Sequence, residues 1–167
     1  MQVRLNGIDT RYVLDNEGGG RWLTLLHQLG GDLSVWDQLA GYFHDDFTVL
    51  RYDVRGHGHT AVPERPFSIA ELSHDLGALL DALGAPHTHL VGMSMGGMIA
   101  QQFALDHPSR IDTLTLADTT AGTAPGNRAL WDQRAAAARR DGMASLVPAT
   151  LERWLTPEFQ ADRKSVV

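Results

Sequence analysis

The stretch HLVGMSMGGMIAQQFA, residues 89–104, decides the fold prediction. In it, Ser94 stands between Gly92 and Gly96 in the pattern G-x-S-x-G, after a short apolar run and before a longer one. The pattern alone is weakly specific, but here it falls between a predicted strand and a predicted helix. A sharp turn at that place lifts a serine hydroxyl above a sheet, and flanking glycines relieve its crowding. We therefore predict a nucleophilic Ser94, the alternative being a serine in a glycine-rich helix cap.

The segments around this motif alternate between strand and helix patterns. Asn6-Gly7 predicts a tight hairpin within residues 2–15, and Ser68 with Glu71 forms an S-x-x-E capping box at a helix start. The predicted buried strands are 21–27, 47–54, 88–93 and 111–118, and the predicted helices are 34–43, 68–84 and 94–107. This alternation indicates an α/β fold with a mostly parallel sheet flanked by helices, whose ligands bind at the carboxyl ends of the strands.

Composition and charge limit the kinds of ligand and site to be expected. The net charge of −6 and the sequence pI near 5.7 argue against nucleic acid and anionic membranes as partners, so a small molecule is expected. No cysteine is present, which excludes a thiolate nucleophile and thiolate metal sites. The sequence shows no secretory signal pattern and no run of about 18 apolar residues, so a cytoplasmic protein is expected.

Backbone amides near Ser94 are the candidate oxyanion donors. The Met95 amide is placed at the amino end of the helix that follows the nucleophile. The second donor should come from the loop after the third strand, LLHQLGG, and we predict the Leu29 amide. The alternative is that Gly30 and Gly31 shape a turn there and nothing more.

A serine nucleophile also needs a base, and eight histidines are available. His27, His57 and His59 fall in loops on the predicted active face, while the other histidines lie at the far ends of elements or on helices. Each of the three is a candidate base, and the alternative is a structural role within its loop. A metal site at Asp53, His57 and His59 has suitable ligand types, but its spacing is non-specific, so no metal is predicted.

The chain resembles the α/β-hydrolase family, and within it the 3-oxoadipate enol-lactonases. The resemblance rests on LLHQLGGDLSVWDQL, LRYDVRGHGHT, HLVGMSMGGMIAQQFALDHPSRIDTLTLADTT and WDQRAAAARRDGMASLVPATLERWLTPEF. It implies a core over residues 1–124 and a partial helical cap over 125–167. It also implies Ser94 as nucleophile, Leu29 and Met95 as oxyanion amides, no cofactor, and hydrolysis of a carboxylate-bearing enol-lactone to 3-oxoadipate in aromatic catabolism, the β-ketoadipate pathway.

The resemblance also implies what to expect beyond the matched motifs. Members of the group continue through the cap and the last strands of the fold to the catalytic aspartate and histidine, so we expect both residues to be absent here. Asp118 ends the sixth predicted strand, where some α/β-hydrolases carry the acid, although the enol-lactonase pattern favours a hinge role. The open alternatives are a truncated, inactive fragment and a related esterase, C–C bond hydrolase or cofactor-free perhydrolase.

Two further expectations concern surfaces. Trp131 and Arg134 are three residues apart on a predicted cap helix and share a face, which suits a small carboxylate, whereas the alternative is a packing tryptophan and a solvated arginine. The apolar strand 111–118 is expected at an exposed sheet edge, where it would promote self-association.

Overall fold

A computed structural model of the chain describes residues 1–16, 18, 20–122 and 125–162. The chain divides into two compact units, Met1–Gly122 and Thr123–Val167. The predicted boundary lies between residues 124 and 125, and residues 123 and 124 are outside the described residues. Residues 163–167 of the predicted cap are also outside them. The first unit contains all the described strands, and the second contains helices.

The first unit is built on one sheet. Six strands of the described residues form it in the order β1-β2-β4-β3-β5-β6. Their bounds are β1 (Gln2–Leu5), β2 (Ile8–Asp15), β3 (Trp22–Leu26), β4 (Thr48–Tyr52), β5 (Thr88–Met93) and β6 (Ile111–Ala117). The pairs β1/β2 and β2/β4 are antiparallel, and the pairs β4/β3, β3/β5 and β5/β6 are parallel. The predicted mostly parallel α/β sheet is therefore confirmed.

Helices connect the parallel strands. They are α1 (Asp37–Ala40), α2 (Ile69–Ala82) and α3 (Met95–Asp106). The predicted capping box begins α2: the Glu71 amide donates to Ser68 Oγ at 3.2 Å, and the Ser68 amide donates to Glu71 Oε2 at 3.0 Å. These reciprocal bonds use two of the amides that a helix start leaves without partners.

The predicted helix over residues 34–43 is wrong in extent. A 3-10 turn, Leu33–Trp36, is followed by the single turn of α1, which ends at Ala40. Asp32 caps the 3-10 turn by accepting the Ser34 amide at 2.8 Å, and Trp36 is buried in the core with 8% of its surface exposed. We attribute the short helix to burial of the Trp36 side chain, which stabilises this segment more than a longer regular helix would.

Apolar side chains pack on both faces of the sheet. On one face, Leu76, Leu80 and Phe103 from α2 and α3 are fully buried against β3, β4 and β5. On the other face, Trp36 packs against Leu23, Leu25 and Val49. Two-sided burial explains why β3 and β4 are buried along almost their whole length without the alternation of a half-exposed strand.

The second unit contains α4 (Arg128–Asp141), α5 (Val147–Trp154) and α6 (Pro157–Ala161). A 3-10 turn, Met143–Leu146, joins α4 to α5, and no strand occurs in residues 125–162, as the sequence pattern predicts. Across the described residues of both units, no helix combines the length and the apolar character that a membrane span requires.

Strand β6 lies at the edge of the sheet. It pairs with β5 on one side, and within the described residues no strand pairs with its other side. Leu114 and Leu116 point to the same face of the sheet and expose 37% and 44% of their surface. An apolar strand with unpaired amides and carbonyls is a template for pairing with another chain.

We expect the chain to self-associate through β6. Replacing Leu114 and Leu116 by lysine should give a monomer, because charged side chains on an edge strand oppose pairing with a second copy. Sedimentation velocity over a concentration series measures this. Leu105→Lys is the control, since Leu105 is 78% exposed and lies on α3, so it takes no part in strand pairing. Equal association of the control and the double variant would contradict the prediction.

Candidate active site

Ser94 occupies a sharp turn between β5 and α3. Its backbone has φ 52° and ψ −114°, a left-handed φ that residues other than glycine rarely adopt. A Cβ at Gly92 would lie 2.4 Å from the Gly96 carbonyl oxygen, and a Cβ at Gly96 would lie 2.2 Å from the Leu26 carbonyl oxygen. Both contacts are with backbone, so no side-chain rotation can relieve them. The glycines of the motif therefore permit the turn, and Ser94 stands half-buried after the carboxyl end of β5.

The start of α3 packs directly on the end of β3. At Gly96, a Cβ would also lie 2.8 Å from the His27 carbonyl oxygen, which shows how closely the two backbones approach. Met95, the first residue of α3, directly precedes Gly96 and so lies near the end of β3 as well. The first amides of a helix have no intrahelical acceptor, so the Met95 amide is a free donor at the positive end of the helix dipole.

The loop after β3 holds the second predicted donor, the Leu29 amide. The Gly31 amide donates to the Gln28 carbonyl oxygen at 3.2 Å, and Gly30 has φ 78°, so a tight turn surrounds Leu29. Within the described residues, neither the Leu29 amide nor the Met95 amide donates a hydrogen bond to another group. The two donors are thus unpaired on adjoining segments, and their role as an oxyanion site stays a prediction.

His27 is a structural residue. Its side chain is fully buried, with Nδ1 donating to the Gln28 carbonyl oxygen at 2.8 Å and Nε2 accepting the Val54 amide at 3.0 Å. Burial lowers the pKa of the imidazole, because a charge there would lose its solvation. With both nitrogens bound to backbone, His27 is unavailable as a base for Ser94.

Asp53 organises the loops that the sequence offered as a metal site. Its carboxylate is fully buried and accepts the Leu33 amide at 2.8 Å, the His59 amide at 2.8 Å and Arg11 Nη1 at 3.4 Å. His57 Nδ1 lies 3.2 Å from a backbone oxygen, within the same loop. Among the described residues, no group of three or more histidine, aspartate, glutamate or cysteine side chains is placed to bind a metal.

The histidines do not supply a partner for the Ser94 hydroxyl. All eight are within the described residues, and none of their hydrogen bonds reaches Ser94. Three make contacts elsewhere: His44 with the Gly41 carbonyl, His87 with the Asp112 carboxylate, and His89 with the Thr113 hydroxyl. Among the described residues, no imidazole is therefore hydrogen-bonded to Ser94, and the absence of a triad histidine stays an expectation.

Asp118 follows β6 and does not belong to it. Its backbone has a left-handed φ of 44°, and its side chain is exposed. In the described part of the chain, its carboxylate forms no hydrogen bond and no ion pair. The backbone turn at this residue fits the hinge role, and the structure pairs the carboxylate with no histidine.

Trp131 and Arg134 contact each other on α4. The guanidinium carbon of Arg134 lies 5.0 Å from the centre of the Trp131 ring, as their three-residue spacing predicts. Trp131 is 40% exposed, and Arg134 is partly buried. Stacking restricts the guanidinium and leaves its donors available to a carboxylate, although binding itself remains a prediction.

The sheet order and the turn at Ser94 define the class of protein. The profile of the alpha/beta hydrolase fold family matches residues 21–159. The chain belongs to the α/β-hydrolase family.

One curated relative and two solved structures are similar to this chain over most of its length. The chain is 37% identical to 3-oxoadipate enol-lactonase 2 of Acinetobacter baylyi over 87% of its own length and 54% of that protein. It is similar to the crystal structure of the enol-lactonase from Burkholderia xenovorans, with TM-score 0.89 and 36% identity, covering 96% of this chain and 62% of that one. A hydrolase from Pseudomonas aeruginosa gives TM-score 0.92 and 35% identity, with coverage of 99% and 63%. The chain thus spans about half the length of the curated relatives it matches.

The close approach at Gly96 gives a prediction about stability. Gly96→Ala should lower the free energy of unfolding by about 2 kcal/mol or more, because the methyl group would overlap the Leu26 carbonyl oxygen. Denaturant titration measures this. Gly122→Ala is the control, since nothing lies within 4 Å of a Cβ at that position. Similar losses in both variants would contradict the packing argument.

The buried His27 predicts a pH dependence. Because its pKa in the folded state is below the ordinary value of 6.5, the unfolded chain binds the proton more tightly. The contribution of His27 to stability is complete above pH 6.5 and is lost as the pH falls from 6.5 towards the folded pKa. The slope from this residue reaches at most about 1.4 kcal/mol per pH unit.

Unfolding free energies between pH 5 and 8 test this dependence. His27→Asn should be less stable at pH 8 and should show a shallower fall towards pH 5. The exposed His74 gives the control variant His74→Asn, which should keep the slope of the parent chain. An unchanged slope in His27→Asn would show that other groups cause the acid sensitivity.

Proposed function

We propose that this chain carries the nucleophile and the oxyanion site of a serine hydrolase of the 3-oxoadipate enol-lactonase type. The observation that carries the proposal is the left-handed turn at Ser94, with the free amides of Met95 and Leu29 on adjoining segments. The similarity to enol-lactonases supports the substrate class. The proposed setting is cytoplasmic, in the β-ketoadipate route of aromatic catabolism.

The proposed chemistry is acyl transfer in two stages. Ser94 Oγ attacks the lactone carbonyl carbon as its proton passes to a base, and the two amides hold the negative oxygen of the tetrahedral intermediate. The intermediate then breaks the ring carbon–oxygen bond, and the base returns its proton to the leaving enol oxygen. The enol remains part of the acyl group on Ser94 and ketonises. Water then attacks the acyl carbon as the base takes a proton from it, and Ser94 Oγ leaves with that proton as 3-oxoadipate is released.

Proton transfer is the part that these residues do not provide. No histidine of the chain hydrogen-bonds to Ser94, and His27 is bound to backbone at both ring nitrogens. The proposal therefore assigns no base among the described residues, and it assigns Asp118 a hinge role. A serine hydroxyl without a base is a poor nucleophile.

Substrate selection is assigned to Arg134 and Trp131. A guanidinium held over an aromatic ring can bind a carboxylate through two parallel hydrogen bonds while the ring covers the apolar part of a small lactone. Arg139 lies on the same helix and is exposed, which provides a matched control.

Hydrolysis of 3-oxoadipate enol-lactone by the purified chain tests the nucleophile. Any turnover should be abolished in Ser94→Ala, because the hydroxyl forms the acyl-enzyme. Turnover that survives in Ser94→Ala would contradict the assignment. A folded chain that turns over no lactone would support the inactive alternative, and activity on p-nitrophenyl acetate in place of the lactone would support an esterase.

Binding or kinetic measurements with two lactones test the arginine. Arg134→Ala should weaken the interaction with the carboxylate-bearing lactone about tenfold and leave an uncharged lactone of the same ring size unaffected. Arg139→Ala should match the parent chain with both. If the two arginine variants weaken the interaction equally, the net positive charge of the helix explains the effect, and the specific role of Arg134 is contradicted.

A further inference from the structure

The backbone of Ser94 is held by the segment that follows β6. The Ser94 amide donates to the Ala117 carbonyl oxygen at 3.0 Å. The Thr119 hydroxyl donates to the Ser94 carbonyl oxygen at 2.6 Å. That oxygen also accepts the Met98 amide at 3.1 Å, within the first turn of α3. Both polar backbone groups of Ser94 are therefore bound by the two residues that flank Asp118.

The left-handed turn at Asp118 makes this double contact geometrically feasible. With φ 44°, Asp118 turns the chain sharply between Ala117 and Thr119, so that the Thr119 side chain returns to the Ser94 turn. Left-handed conformations cost aspartate on the order of 1 kcal/mol and persist where surrounding contacts determine them. Two left-handed residues thus stabilise each other across neighbouring strand ends.

Gly97 gives independent support for the importance of Thr119. The G-x-S-x-G pattern needs Gly92 and Gly96 and says nothing about Gly97. A Cβ at Gly97 would lie 2.6 Å from both Cβ and Oγ1 of Thr119. Gly97 therefore leaves the space that Thr119 occupies.

Gln101 adds a second link between α3 and the same segment. Its Nε2 donates to the Gly97 carbonyl oxygen at 3.2 Å and to the Thr120 carbonyl oxygen at 3.1 Å. The Gln101 side chain thus links α3 to the backbone of Thr120, the residue next to Thr119. This network fixes Thr119 relative to the start of the helix.

The chemical consequence follows from the planarity of the peptide unit. The Ser94 carbonyl and the Met95 amide belong to one peptide group, so fixing the direction of the carbonyl also fixes the direction of the amide. Donation of a hydrogen bond to the carbonyl polarises the group and strengthens the amide as a donor. Thr119 thereby acts on Met95, the residue assigned to the oxyanion site.

We propose that Thr119 is a positioning residue that orients the Met95 amide through the Ser94 carbonyl group. The inference rests on the proposed role of Ser94 as nucleophile. The Thr119 hydroxyl does not contact the substrate in this proposal. The hydroxyl therefore acts on the transition state. There the carbonyl oxygen of the substrate becomes negative, and its stabilisation depends on the direction of the Met95 amide.

Thr119→Val is the principal test, because valine keeps the shape and removes the donor. Where the chain hydrolyses the enol-lactone, kcat should fall about tenfold with little change in KM, as expected for an interaction made in the transition state. Thr119→Ser should restore kcat. Thr120→Val is the matched control, since the Thr120 hydroxyl bonds to the Gly122 carbonyl and does not contact Ser94.

Amide resonances give a readout that does not need turnover. In Thr119→Val, the Met95 amide should shift in a ¹H–¹⁵N spectrum, and exchange of the Met98 amide with solvent should quicken about tenfold, because the shared acceptor is less fixed. Thr119→Ser and Thr120→Val should match the parent chain. If Thr119→Val does not fold, Thr119→Ala removes the same donor without adding bulk.

The outcomes separate the two proposals. Unchanged Met95 and Met98 amides in the folded valine or alanine variant would overturn the role of Thr119, whatever the activity. Retained hydrolysis in Ser94→Ala would overturn the nucleophile, while the amide measurements would still decide whether Thr119 orients the peptide. A change common to Thr119→Val and Thr119→Ser would also contradict the proposal, because serine keeps the donor.

Discussion

The left-handed backbone of Ser94 is the constraint on which the rest of the first unit depends. An L-residue adopts that conformation at a cost, and it persists where the surroundings leave no alternative. Here Gly92 and Gly96 allow backbone to approach within distances that a Cβ would prevent. The same close approach sets α3 on the end of β3 and so brings the Met95 amide beside the loop that contains Leu29. One local conformation thereby couples the nucleophile turn to both predicted oxyanion segments.

Polar groups near this turn fall into two classes. The ring nitrogens of His27 are bonded to backbone, and the buried carboxylate of Asp53 is bonded to two backbone amides and to Arg11. These bonds offset the loss of hydration and hold the loops in place. The amides of Leu29 and Met95 have no acceptor within the described residues. Groups whose bonds are already complete serve the scaffold, and groups with unused capacity remain for a ligand.

Patterns of local origin were predictable from the sequence. The Asn6-Gly7 hairpin, the Ser68 capping box and the strand–helix alternation each depend on neighbouring residues, and the structure contains them. The helix predicted over 34–43 was shortened because burial of Trp36 outweighs regular geometry. The contact between Thr119 and Ser94 joins residues far apart in sequence, so no local pattern reveals it. The sequence feature related to this contact is Gly97, a glycine that the G-x-S-x-G motif does not require and whose missing Cβ leaves space for Thr119.

The geometry at Ser94 has its origin entirely within the first unit. The glycines, the end of β3, the Ala117 carbonyl and the Thr119 hydroxyl that define it all precede residue 122. Trp131 and Arg134, which are assigned to substrate selection, belong to the second unit. The contacts that fix the turn and the contact between Trp131 and Arg134 are therefore separate sets. Under the proposed function, variants at Thr119 and at Arg134 test different roles, because the first removes a contact of the Ser94 backbone and the second removes a guanidinium on α4.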